Sequence, residues 1–493
     1  MAPALRSQIA VLCILLLTAN LQSCATKRTE LPTVRPVTEV FEPLREDLKK
    51  SYLDLFQEAS RLEYSDAQIA RMREYLKQAE DYCVGRFDVT SNDYKQAEEE
   101  AQKGLKRPGI TEADRHQLHC KIQEARVLRG QAEVIARHAI PVAYANKVAK
   151  LDLIQQWPAE EQQIKRSIAD GSYKSRRWAD VEDIGFRKVE PQQKDDVKMG
   201  QDAVREMKQT GMMPKEIDNE VVTGYVRELA RKLAANSDLL VPLQVTVLDS
   251  REVNAFALPG GFIFIERGLL ESVEDEAQLA GVISHEMSHV VLRHGRKLMR
   301  RATIASVIYQ AAQVAAILVT GGVLGIGAYY AMQYGFFGLG LTLNLALIGV
   351  SREYEREADL MGIQYAWKAG YDAEGFVRFF DKMATREGYV NGASWFRTHP
   401  PFYERMVGSQ RELMYLGKKP AAIMTTTDFG RMKEALKPIT AKAERESTEK
   451  PPTLLTREQG CPEPGKLIYE PDKPIETICS TPHTEPAEVK TRK

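Results

Sequence analysis

Two histidines one helical turn apart, in a stretch otherwise apolar nearly all round, constrain this chain more than any other feature. The stretch runs from about Glu274 to His294, and Leu279, Ala280, Val282, Ile283, Met287, Val290 and Val291 leave it no broad polar face. Glu274, Asp275 and Glu276 suit its N-terminus. Such a helix is buried, and it takes His285, Glu286 and His289 into the interior with it. Polar side chains there are costly unless they find partners. At positions i and i+4 the two imidazoles share one face and can converge on one Zn²⁺ at roughly 2.0–2.1 Å each. Glu286 points beside that position, where a carboxylate can take a proton from an attacking water. The bland alternative is two core histidines at this spacing by chance. With only eight histidines in the chain, that pattern is expected on the order of once per hundred such sequences.

A zinc site with an open position needs a third protein ligand. The stretch Ser351-Arg352-Glu353-Tyr354-Glu355-Arg356-Glu357-Ala358-Asp359 reads as a helix whose Leu360, Ile363 and Ala366 face inward. Glu355 and Asp359 lie one turn apart on one face. One carboxylate can bind metal while the other orients a ligand imidazole. Glu353 and Glu357 fall on other faces and read as solvated. Spacing alone does not choose between Glu355 and Glu357.

These motifs together resemble the gluzincin zinc metalloendopeptidases, the family of the CAAX prenyl protease and the bacterial heat-shock protease X. The resemblance rests on HExxH at 285–289 and on Glu-x-x-Ala-Asp at 355–359. It also rests on Asn254-Ala255-Phe256-Ala257-Leu258-Pro259-Gly260-Gly261, Gly268-Leu269-Leu270 and Thr398-His399-Pro400. It covers about residues 190–415 and is strongest to the periplasmic members. It implies an α+β, mainly helical chain with a zincin-like catalytic domain and a small β-sheet. It assigns one Zn²⁺ per chain to His285, His289 and Glu355, with Asp359 behind a ligand and Glu286 as the catalytic base. It makes Asn254 and Ala255 substrate-binding residues on a sheet edge where an extended peptide can pair. It makes His399 a catalytic residue, either stabilising the oxyanion or filling the open metal position at rest. His294 reads as a structural helix-end residue.

Around this block the chain divides clearly. Residues 1–23 carry one charge, Arg6, and the apolar run Ile9–Leu17, the form of a signal peptide. The run ends in Leu21-Gln22-Ser23-Cys24, which resembles a lipobox, so Cys24 is the expected lipidation site. Ala25 is not the aspartate that typically retains such proteins in the inner membrane. A lipid-anchored protein of the periplasm, on the outer membrane of a Gram-negative-type bacterium, is therefore expected. Residues 24–40 read as a tether and 41–180 as helical hairpins of unknown role, open to envelope assembly partners. Ser65 and Gln68 make a capping box, and Thr111 caps a helix running to about Ala139. The metallopeptidase domain is expected over 185–416. Within it Leu243–Val247, Val253–Leu258 and Phe262–Ile265 read as strands, the last two joined through Pro259-Gly260-Gly261. Residues 425–493 read as a flexible, disordered Pro-rich tail, with eight of the 23 prolines beyond 450.

Between the two metal-site helices, Ala302–Ser351 is 50 residues without Lys, Arg, Asp, Glu or His, and with eight glycines. Both flanks must reach the same metal, so this insert either crosses a membrane twice or does not cross at all. A glycine-hinged cover over the cleft, touching lipid, is favoured over a membrane hairpin. The 68 basic and 68 acidic residues remove any global electrostatic case for nucleic acid. Four cysteines remain after Cys13 and Cys24, and an oxidising compartment suggests the pairs Cys83–Cys120 and Cys461–Cys479. The resemblance points to a zinc endopeptidase acting on unfolded or misassembled envelope proteins. The rival reading is a chaperone-like outer-membrane assembly factor that holds clients with little proteolysis.

Overall fold

The computed structural model describes residues 42–172, 189, 193–209, 213–297, 352–386, 403–449, 461, 466–467 and 484–485. The signal and tether, Cys24, His399, Cys479 and the insert 302–351 lie outside the described residues. Among those described, no helix is long and apolar enough to cross a membrane.

The front is helical. Two short helices, α1 (Glu42–Asp47) and α2 (Tyr52–Glu58), precede the long α3 (Asp66–Leu105) and α4 (Glu112–Val134). The capping box forms as the sequence predicts, with Ser65 accepting from the Gln68 N–H and Gln68 reaching back to Ser65. Thr111 accepts from the Asp114 N–H at 3.1 Å. α3 and α4 run antiparallel, because Glu98 pairs with Arg126 and Arg129 while Asp88, a few turns earlier, pairs with Arg137. Ile122, Ala125, Leu128, Ala132 and Ile135 bury the expected stripe. The α4 helix ends earlier than the periodicity predicts. A π-helical turn over Ile135–Ala139 redirects it into α5 (Ile140–Ala169).

The front is not a separate module. One buried apolar cluster runs from Leu44 through Trp157 into the region of the HExxH motif. Asp381 accepts from the backbone N–H of Tyr52 at 2.9 Å. Burial raises the Asp381 carboxyl, while this N–H and that of Leu53 oppose the shift.

The region around the HExxH motif opens with α6 (Lys194–Gln209) and α7 (Glu220–Ala234). Three strands follow: β1 (Gln244–Leu248), β2 (Ala255–Leu258) and β3 (Phe262–Glu266). β3 is central and buried at all five positions. It pairs parallel to β1 and antiparallel to β2, with Ala255 opposite Ile265 and Leu258 opposite Phe262. The Pro259-Gly260-Gly261 connection works as the sequence predicts: both glycines take positive φ, 82° and 96°. After α8 (Arg267–Ser272) come α9 (Glu276–Val291), α10 (Arg352–Lys368), α11 (Glu374–Arg386) and α12 (Tyr403–Leu416). The fold is thus mainly helical with one small mixed sheet.

Two tail expectations are corrected. The stretch after residue 425 begins with a helix, α13 (Thr427–Glu449), which packs against α7. Its buried Phe429, Met432 and Leu436 recur at helical spacing inside a sequence that looks solvated. Cys120 is bonded to Cys461, with 5.2 Å between the Cα atoms, so neither expected pair forms. Cys83 is itself disulfide-bonded. Local spacing favours nearby cysteines, but the tail returns to α4. There the Leu467 N–H meets Gln131 Oε1 at 2.7 Å, and β4 (Lys466–Leu467) pairs with β5 (Thr484–Glu485).

Candidate metal centre

The α9 helix starts where Asp275 accepts from the Gln278 N–H at 2.8 Å. It is buried along nearly its whole length, with His285 and Glu286 at 0% and 1% exposure. α10 crosses it, and α11 stacks Phe376 flat against the His285 ring, 5.1 Å between centroids. β2 is one of the two edge strands and packs against α9; Ala255 is its first residue and Asn254 adjoins it. Both are buried, and the Asn254 carbonyl accepts from the Glu266 N–H at 3.0 Å.

Three side chains converge as a possible ligand set. His289 Nε2 lies 3.1 Å from His285 Nε2 and 3.5 Å from Glu355 Oε1; His285 Nε2 lies 3.6 Å from Glu355 Oε2. Ligand atoms held tetrahedrally at zinc distances are roughly 3.3 Å apart, so these spacings fit such an ion. Among the described residues this is the one cluster suited to a metal whose donors are not tied in a disulfide; His116, Cys120 and Cys461 form the other. Of the two glutamates that spacing left open, Glu355 is the one that joins the cluster.

The surroundings favour a cation. His285 Nδ1 is 2.9 Å from Asp359 Oδ1. Burial penalises charge on this ring, but Asp359 and Glu355 outweigh it and hold His285 above its ordinary pKa. Glu286 is buried beside the cluster on the same helix.

Arg405 of α12 is the largest omission of the sequence reading. Its Nε and one terminal nitrogen donate to the two Asp359 oxygens at 2.6 and 2.7 Å, and the other terminal nitrogen is 3.0 Å from Glu355 Oε2. All three residues are 1–2% exposed. Burial opposes the guanidinium charge, but Asp359 and Glu355 prevail and raise its pKa. Such a fork fixes both carboxylates against α9. The sequence signal was faint: a lone arginine before Met406 and Val407, in a helix that looks polar.

Two minor expectations change. Glu357 is half-buried rather than solvated, and it pairs with His294 Nε2 at 3.1 Å. His294 does more than end a helix, since its Nδ1 meets His289 Nδ1 at 2.9 Å. Burial pushes the His294 pKa down despite Glu357, and the bond to His294 holds Glu357 below its usual range.

Residues 220–410 match the family model described as Peptidase family M48. The chain carries a Peptidase family M48 domain. That M48 domain contains α9, α10 and the strands between α7 and α8. The beta-barrel assembly-enhancing protease of Yersinia pestis is 27% identical over 240 residues, 48% of this chain and 47% of that protein. Its counterpart in Escherichia coli (strain K12) is 26% identical over 239 residues, 48% of this chain and 46% of that protein. The mitochondrial metalloendopeptidase OMA1 of Schizosaccharomyces pombe is 29% identical over 215 residues, 42% of this chain and 58% of that protein. The chain thus spans about half the length of the relatives it matches, and the helical front precedes the M48 match.

Proposed function

We propose that the M48 domain is a zinc-dependent endopeptidase that hydrolyses peptide bonds in unfolded or misassembled cell-envelope proteins. The observation that carries the reading is the convergence of His285, His289 and Glu355 within 3.1–3.6 Å, with Glu286 buried beside them. Zn²⁺, when bound there, supplies Lewis acidity that polarises a peptide carbonyl and acidifies water.

The chain's own groups do the rest. Glu286 accepts the proton of the attacking water and returns it to the departing amine. Asp359 sets the His285 ring so that Nε2 faces inward, and Arg405 holds Asp359 and Glu355 in register. The outer edge of β2, from Asn254 and Ala255, offers backbone partners to an extended substrate, which gives affinity with modest sequence preference. His399 stabilises the developing oxyanion or fills the open metal position at rest. Lipid on Cys24 holds the enzyme on the periplasmic face of the outer membrane. The printed names of the bacterial relatives support an envelope-assembly setting.

The test is metal analysis together with digestion of a casein-type substrate. Glu286→Gln should keep one zinc per chain and lose at least ~100-fold in hydrolysis, the low end of a general-base contribution. Wild-type turnover in that variant would refute the mechanism.

A further inference from the structure

The two histidines of the motif are supported in different ways. His285 rests directly on a buried carboxylate, Asp359, at 2.9 Å. His289 instead faces a third histidine. Its Nδ1 lies 2.9 Å from His294 Nδ1, and His294 Nε2 lies 3.1 Å from Glu357 Oε2.

One set of tautomers satisfies this chain. Nε2 of His289 faces Glu355 and His285, so it is the nitrogen offered to metal. A neutral imidazole that binds metal through Nε2 carries its proton on Nδ1. That N–H has His294 Nδ1 in front of it, which must accept. His294 then carries its own proton on Nε2, and donates it to Glu357. Each bond has one donor and one acceptor, and the chain ends on an anion.

The backbone supports the arrangement at some cost. Arg293 takes φ of 58°, the left-handed region, and is the one described non-glycine residue to do so. A side chain there is strained, because its Cβ crowds the following carbonyl oxygen. Strain of this kind persists where the surroundings over-determine it. Here Asp196 of α6 binds Arg293 twice, at 2.6 and 3.0 Å, and also binds Arg296. The turn brings His294 back over the last turn of α9. Tyr354 then stacks on its ring, 4.2 Å between centroids and 10° between planes.

We propose that His294 is a positioning residue for the metal ligand His289, joined through it to Glu357 in a His–His–carboxylate relay. The relay fixes the tautomer and the ring plane of His289, as Asp359 does for His285. Glu357, two residues from the ligand Glu355 on the same helix, is its terminal acceptor. This inference rests on the reading of His285, His289 and Glu355 as the metal ligands.

The experiment measures Zn²⁺ affinity by chelator competition on the full chain, with the absorption spectrum of the Co²⁺-loaded protein alongside. His294→Phe keeps a flat ring against Tyr354 and removes the acceptor. It should weaken Zn²⁺ binding 10–100-fold, the usual effect of losing such an outer partner, and shift the Co²⁺ spectrum. Glu357→Gln retains an acceptor and should stay within about 3-fold of wild type, whereas Glu357→Leu should lose affinity. The double variant His294→Phe/Glu357→Leu should be no weaker than His294→Phe alone, because the two act as one unit. Wild-type affinity and spectrum in His294→Phe would overturn the relay while leaving the metal site standing. Should that variant not fold, Glu357→Leu at its half-buried position decides instead, and wild-type affinity there overturns the relay. A wild-type chain that binds neither ion would overturn the site reading, and the relay with it.

Discussion

Gly362 lies against the backbone of His285: a Cβ placed on it would sit 2.8 Å from the His285 nitrogen and 3.0 Å from its Cα. The helices α9 and α10 meet here with no side chain between them. Glu355 is seven residues earlier on α10, two turns along the same face, and this contact brings it within reach of both histidines. Gly362→Ala must push the helices apart. Overpacking of this kind costs about 1–3 kcal/mol. The expected outcome is a lower urea midpoint together with weaker Zn²⁺ binding. Unchanged values of both would mean that the helix separation does not set the site.

Arg405 makes a second prediction. It is the cation shared by Asp359 and Glu355 in an interior where all three are almost fully buried. Arg405→Leu leaves two carboxylates without their cation, and breaking a buried pair in this way costs about 3–5 kcal/mol. Denaturation of the metal-free protein should show that loss, and added Zn²⁺ should recover part of it, since a metal supplies positive charge to Glu355. A metal-free Arg405→Leu as stable as wild type would mean that the Arg405 fork does not hold these carboxylates in place.

How much was legible in the sequence follows from how local each signal is. The α9 helix, the hairpin around Gly260 and Gly261, and the Ser65–Gln68 cap each depend on residues a few positions apart, and each forms close to where the pattern puts it. Choosing Glu355 over Glu357 needed the family pattern, because both sit on one helix within a turn of each other. Arg405 was invisible for another reason. Its partner Asp359 is 46 residues away, and no periodicity relates an arginine to a carboxylate on a different helix. The same holds for Glu357, whose burial comes from the turn after α9. The α13 helix was missed because its buried stripe is thin, and its many charges read as solvated chain.

The cysteine pairing gives a third test. Non-reducing peptide mapping should recover a cross-linked peptide containing Cys120 and Cys461, and none joining Cys83 to Cys120. Cys461→Ser should lower stability by about 2–4 kcal/mol, the usual range for a structural bond. Free, alkylatable thiols at Cys120 and Cys461 would contradict both the link and an oxidising compartment.

Anchoring supplies the fourth. Cys24→Ala should move the protein from the membrane fraction to the soluble periplasmic fraction, because the proposed lipid is its attachment. Retention that resists carbonate extraction would instead indicate a membrane hairpin in residues 302–351.

The Cys120–Cys461 bond also determines what a break in the chain can do. His285, His289, Glu355 and Arg405 all fall between these two positions, so the candidate site belongs to a covalent ring. A nick at any peptide bond inside that ring opens it without releasing a piece. Nicked and intact chains then differ by only one added water under non-reducing conditions and come apart into fragments only after reduction. His285, His289, Glu355 and Arg405 would in this way stay in one molecule after a single cut.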